Sequence, residues 1–166
     1  EGEYVVNLLV EPDAPGVQEL IDKCDEWAAA SLAKAKEEAG SAAKAKKWTT
    51  KYLPYKPDED EDGEETGLIS IKFGSKASGV SKKTGKPWSR SPDIFDAKGV
   101  KMKKVPSIWG GTVGKDGFTA VQYAPTQQVG ASVSLRLDAV QIIDLVRGGT
   151  RSADSYGFGE EDGYSS

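Results

Sequence analysis

Histidine is missing from this chain, and cysteine and methionine occur once each among its 166 residues. Without an imidazole there is no histidine general base, no Ser–His relay and no His-ligated metal. The lone Cys24 forms neither an internal disulfide nor a cysteine cluster for zinc, which suits a reducing compartment. No apolar run approaches the roughly 18 residues that span a bilayer, so no membrane segment is expected. No stretch of these residues reads as a basic-then-apolar leader. Apolar residues make up only 37% of the chain, so part of it is expected to lie outside a packed core. The sequence starts at Glu1 and runs at once into a strand-like segment. It is therefore expected to be a piece that lacks an N-terminal stretch and the end of its tail.

What the chain does have is segregated charge. Between Leu68 and Lys115 stand eleven Lys or Arg and two acids, Asp93 and Asp96, a net of +9. Residues 1–67 carry eight basic and seventeen acidic residues (net −9), and residues 116–166 carry three and seven (net −4), which together give the overall −4. The basic strip also bears Phe73, Trp88, Phe95 and Trp109. Cations interleaved with aromatics, flanked by carboxylates, suit a chain that holds a polyanion and regulates access with its own acids.

Along the chain, Tyr4–Val10 reads as a strand. Asp13 and Pro15 suit the start of a helix over about 15–39, where Val17, Leu20, Ile21, Cys24, Trp27, Ala28, Leu32 and Ala35 form one apolar stripe and Gly40 is the stop. The acidic run at about 56–67 reads as a self-repelling, solvated loop. Residues 68–73 alternate as a strand, 76–90 read as a Gly/Ser/Lys loop, and Ala97-Lys98-Gly99 as a hairpin turn. Residues 117–123 and 131–146 read as strands. In the last, Val133, Leu135 and Leu137 share a face that Val140 and Ile142 resume one residue out of step, as a β-bulge in a small barrel would require. The expected fold is mainly β: a small closed or partly closed barrel with one long inserted helix over 1–149, followed by a mobile acidic tail over 150–166.

A single-stranded polyanion exposes flat bases and closely spaced phosphates, so its binder needs stacking surfaces and mobile cations. Lys72, Lys76, Lys82, Lys83, Lys86, Arg90 and Lys115 are the candidate phosphate contacts. Trp88 lies in a polar stretch with no apolar neighbours and is a candidate stacking residue, as is Trp109. Phe73 reads as core rather than platform, and Trp27 and Cys24 as core on the helix stripe. Trp48, Tyr52 and Tyr55 read as anchors of an excursion rather than a second aromatic-basic patch. The tail residues Glu160, Glu161, Asp162 and Tyr164 can mimic phosphates in the groove or meet a basic partner. Neither a catalytic residue nor a cofactor is indicated. The rivals are a metal-dependent nuclease using the acids of 58–65, and a protein-interaction module with a basic docking face.

Two stretches carry a resemblance: Asp96-Ala-Lys-Gly-Val-Lys-Met-Lys-Lys-Val-Pro-Ser-Ile-Trp-Gly-Gly111 and Val129-Gly-Ala-Ser-Val-Ser-Leu-Arg-Leu137. The chain resembles the single-stranded DNA-binding proteins of short-tailed (podovirus) bacteriophages over roughly Gly2 to Val146. That resemblance implies a five-stranded oligonucleotide-binding (OB) barrel, sequence-independent binding of single-stranded DNA, strand annealing, and a homodimer. It also implies contact of the acidic tail with phage DNA polymerase and primase-helicase, in the cytoplasm of an infected bacterium. It matches Lys72, Lys115 and Tyr123 to positions of DNA contact. The chain departs from the family at Gly74, where an aromatic is usual, at Gly117, where a basic residue is, and at Pro125, where an aromatic is.

Overall fold

The computed structural model describes residues 2–147; the expected tail lies outside the described residues. The elements run β1 (Glu3–Val10), α1 (Val17–Glu37), α2 (Ala42–Ala45), β2 (Tyr55–Glu59), β3 (Glu65–Lys76), β4 (Ser78–Val80), β5 (Pro87–Ser89), β6 (Asp93–Phe95), β7 (Val113–Thr126) and β8 (Gly130–Asp144). The chain is mainly β, as its alternating stretches require. Instead of five strands in a closed ring, six strands share one mixed sheet and β4 and β5 form a separate pair. The sheet runs β1–β3–β8–β6, with β2 also on β3 and β7 also on β8, so its order has two ends. Contacts group the chain into two compact units, Glu1–Pro92 with Asp116–Ala139, and Asp93–Lys115 with the chain from Val140.

In the first unit β3 is the central strand. β1 lies antiparallel along it from Glu3 opposite Lys76 to Val10 opposite Ile69, β2 pairs Tyr55 with Ile71, and β8 runs parallel with Phe73 beside Leu135 and Gly74 beside Arg136. Strand alternation turns Ile71, Phe73 and Ser75 inward and Lys72, Gly74 and Lys76 outward. Phe73 is core, as expected: it is 2% exposed and its ring centroid lies 5.3 Å from that of Phe118.

Helix α1 begins two residues later than the sequence suggests. Its N-cap is Gly16 at φ 83°, with no side-chain cap, because the Pro12–Gly16 stretch turns instead of leading straight into the helix. The stripe buries Val17, Cys24, Ala28, Ser31 and Ala35, and Gly40 follows the last turn at φ 71°. Burial, and then the charge of Asp25, push the Cys24 thiol up to about 11. The helix is fixed to β7 by polar bonds that hydrophobic patterning does not reveal: Ser31 Oγ donates to the Tyr123 carbonyl (3.3 Å) and Gln122 Nε2 to the Trp27 carbonyl (3.2 Å). Tyr55 is an anchor, as expected; its hydroxyl donates to Asp25 at 2.6 Å, and burial with that bond pushes it up to about 12.

The acidic run is not a long loop. It folds as the β2–β3 hairpin, with the turn confined to Asp60–Glu64. Asp60 makes this possible: its carboxylate accepts the N–H groups of Asp62 (2.9 Å) and Glu64 (3.0 Å), and Gly63 supplies φ 79°. The 76–90 stretch is likewise a hairpin, β4–β5, whose turn is closed by Ser81 N–H to Lys86 O and Gly85 N–H to Ser81 O.

In the second unit the hairpin at 97–99 forms as expected. Asp96 Oδ1 accepts from Lys98 and Val100, both at 2.9 Å, Gly99 takes φ 78°, and Lys101 pairs with Asp93 at 2.7 Å. The phase slip in β8 is present as well: Val133, Leu135 and Leu137 are buried at two-residue steps, then Val140 and Ile142 after a three-residue step. Among the described residues no helix is long and apolar enough to cross a membrane.

One carboxylate in β7 is poorly placed. Asp116 has a buried Oδ2 without a hydrogen-bond partner among the described residues, and burial raises its carboxyl above the ordinary 3.8. The fold therefore favours the protonated acid: stability is fully present below the unfolded pKa and lost as pH rises through the folded one. Asp116→Asn is expected to be more stable than the parent at pH 7, with the gap closing towards pH 3.5; urea denaturation at both pH values measures it.

Candidate nucleic-acid interface

A groove of about 460 Å³ opens on the outward face of β3, within the first unit. Its floor is the alternating row Lys72, Gly74 and Lys76, and Arg136 joins from β8 beside Gly74. The row is rigid because each strand edge is tied: Lys72 N–H donates to Pro54 O at 2.7 Å, and Ala77 N–H to Gly2 O at 2.8 Å. Tyr52 and Tyr123 also line it, with Trp88 and Arg90 at the base of the β4–β5 hairpin. That hairpin base is held by Arg90 N–H to Ala77 O at 2.8 Å.

Trp88 is half-buried rather than free in a loop. It sits opposite Gly79, where any Cβ would lie 2.7 Å from the indole, so the glycine is what lets the ring lie flat across the hairpin. The Arg90 guanidinium stands 4.2 Å over the ring. Gly74 adds no side chain to the floor, and the Glu3 carboxylate lies close to where its Cβ would be. Phe73 is buried and offers no stacking surface, whereas Trp88 faces the groove.

The electrostatics favour an anion. Among the described residues Lys72, Lys76 and Arg90 have no ion-pair partner. Arg136 is partly committed: its Nε donates to Asp138 at 3.0 Å. Asp138 is held below its ordinary pKa by the Thr119 hydroxyl first, then by Arg136 and Arg90, so it stays ionised. Glu3 is the groove's own carboxylate, its Oε1 standing 2.9 Å from where a Gly74 Cβ would be.

The groove thus brings together five of the expected residues, Lys72, Lys76, Trp88, Arg90 and Tyr123. Lys82, Lys83 and Lys86 are exposed in the β4–β5 turn and do not line it. Trp109 and Lys115 belong to the second unit, where Trp109 is 55% exposed and so is not core. Glu160, Glu161, Asp162 and Tyr164 lie outside the described residues. Arg136 and Glu3 were not singled out from the sequence, and Tyr52, expected only as an anchor of an excursion, lines the groove. Arg136 was legible, since the alternation that buries Leu135 and Leu137 turns it outward. Tyr52 and Glu3 depend on tertiary placement. No group of three or more His, Cys, Asp or Glu able to hold a metal occurs among the described residues.

Known proteins resemble this chain in sequence and fold. Residues 1–145 match the family described as "Single-stranded DNA-binding protein, Bacteriophage T7". The chain belongs to this family. The member from Escherichia phage T7 is 33% identical over 167 residues, which covers 98% of this chain and 71% of that protein. The T3 member is 29% identical over 163 residues, covering 98% and 70%. The crystal structure of gp2.5, a single-stranded DNA-binding protein encoded by bacteriophage T7, superposes with a TM-score of 0.74 at 30% identity, covering 99% of this chain and 86% of that one. The motif resemblance was therefore sound. In this chain the groove has Gly74 on its floor and Trp88 seated on Gly79 beneath Arg90.

Proposed function

We propose that the chain is a non-catalytic protein that binds single-stranded DNA without sequence preference and coats it during phage DNA replication, recombination and repair. The groove carries this reading: Lys72, Lys76 and Arg90 supply unpaired charge along one face, and Tyr52, Trp88 and Tyr123 supply aromatic surface beside it. Phosphates meet the cations, and bases stack on aromatics whatever their identity. A stacked base contributes roughly 1–3 kcal/mol, and each phosphate contact about −0.7 in log–log salt slope on single strands.

The same reading includes an OB-type unit, strand annealing, and an acidic tail (Glu160, Glu161, Asp162, Tyr164) that competes for the groove and recruits phage DNA polymerase and primase-helicase in the host cytoplasm. It also includes a homodimer, which the exposed Val105, Ile108, Trp109 and Val113 of the second unit support. Lys82, Lys83 and Lys86 serve as outlying charges that steer DNA towards the groove, and Lys115 as a further phosphate contact.

Incubating the protein with labelled single strands and Mg²⁺ or Mn²⁺ tests the reading against a nuclease. Intact, retarded DNA is expected. Metal-dependent cleavage would replace the binding protein with an enzyme. Retardation that an acidic protein abolishes and short oligonucleotides do not would favour an interaction module.

A further inference from the structure

Residues 41–57 contain five lysines (Lys44, Lys46, Lys47, Lys51, Lys56) and no acid, a basic run hidden inside the acidic N-terminal part. Ser41 caps α2 by accepting the Lys44 N–H at 3.3 Å, and the turn continues with Lys47 N–H to Lys44 O and Trp48 N–H to Ala45 O. The result is a pocket of about 760 Å³ lined by Lys44, Lys47 and the half-buried Trp48, with Pro125 and Gln127 opposite. Its one carboxylate, Glu38, lies 4.0 Å from Lys34.

Two chain segments connect this pocket to the groove. Trp48 lines the pocket and Tyr52 the groove; Tyr123 lines the groove and Gln127 the pocket. Four residues reach at most about 14 Å, a span of a few nucleotides. The first segment is clamped along its length: Thr49 O accepts the Ala131 N–H (3.0 Å), Lys51 Nζ donates to Gln127 O (2.6 Å), and Ser132 Oγ donates to Tyr52 O (2.6 Å). A rigid segment that presents an aromatic and two cations at one end, and a groove aromatic at the other, is a platform rather than a tether.

We propose that the Trp48–Lys44–Lys47 pocket is a second contact for single-stranded DNA, which continues the strand's path beyond Tyr52 and Tyr123. This rests on the groove being the primary DNA site. A base stacks on Trp48 while Lys44 and Lys47 meet the flanking phosphates.

The test uses the full chain with dT oligonucleotides of about 4 and about 16 nucleotides, the range of site sizes for one such fold. Trp48→Ala and, separately, Lys44→Gln/Lys47→Gln are compared with Tyr123→Ala. The two pocket variants are expected to lose about fivefold or more in affinity for the long strand and to bind the short one as the parent does. The double lysine variant is expected to flatten the long-strand salt slope by about 1.4. If Tyr123→Ala weakens binding but both pocket variants match the parent on the long strand, the extension is wrong and the groove reading stands. Equal loss at both lengths in the lysine variant would also overturn it. If the lysine variant loses only binding to an acidic peptide, the pocket takes a protein instead. A parent that binds neither strand would end the groove reading itself.

Discussion

Exchanging Lys72, Lys76 and Arg90 together for glutamine is expected to weaken single-stranded DNA binding on the order of a hundredfold at about 50 mM salt. Three phosphate contacts at about 0.7 each also flatten the log–log salt slope by about 2. All three side chains are exposed, face one groove and have no ion-pair partner among the described residues, so their charge is available to a ligand. The backbone bonds that place them, Lys72 N–H to Pro54 O and Arg90 N–H to Ala77 O, survive the substitution, so the fold should not change. Lys23→Gln is the control, since Lys23 pairs with Glu26 on the exposed face of α1. Fluorescence anisotropy over a salt series gives both numbers. A triple variant with the parent's slope would mean that phosphates pass elsewhere.

Gly130→Ala should be the most damaging single substitution for stability, costing about 3 kcal/mol or more. Gly130 closes the β7–β8 turn at φ 67°, a conformation that L side chains rarely adopt. An added Cβ would also overlap the Thr49 carbonyl oxygen, which itself accepts the Ala131 N–H. That overlap is with backbone, so relief requires moving the whole 48–54 segment from β8. Gly85→Ala separates the two effects: its φ is 66°, yet nothing lies within 4 Å of the new Cβ. It should cost only the left-handed strain, about 1–2 kcal/mol. Urea midpoints of the two variants give the contact contribution by difference. Equal midpoints would show that Thr49 yields easily.

Local signals carried much of the fold. Alternation in β3 identified Phe73 as core and Lys72 as outward, and the apolar stripe located α1. The phase slip between Leu137 and Val140 was readable because burial alternates at two residues on either side of it. Charge misled where side chains act on backbone: the run 58–65 looked too repulsive to pack, but Asp60 closes a tight turn and lets β2 and β3 pair. The Lys-rich 76–90 stretch hid a hairpin because its strands are three residues each, too short for an alternating pattern to show. The groove was half legible. Residues in one strand or motif were found, Lys72 and Tyr123 among them. Glu3 and Tyr52 reach it only through pairing with β3 and the bond from Ser132, which no local pattern encodes. Trp88 was found for a reason the structure revises: it is no free loop residue but an indole seated on Gly79 beneath Arg90.

The most direct measurement is a titration of fluorescent dT oligonucleotide, with matched duplex as control, at two salt concentrations. The groove predicts tight binding to the single strand, weaker binding to duplex whose bases are already stacked, and steep loss of affinity as salt rises. Duplex preference, or binding that does not respond to salt, would contradict a cationic groove that holds unstacked bases.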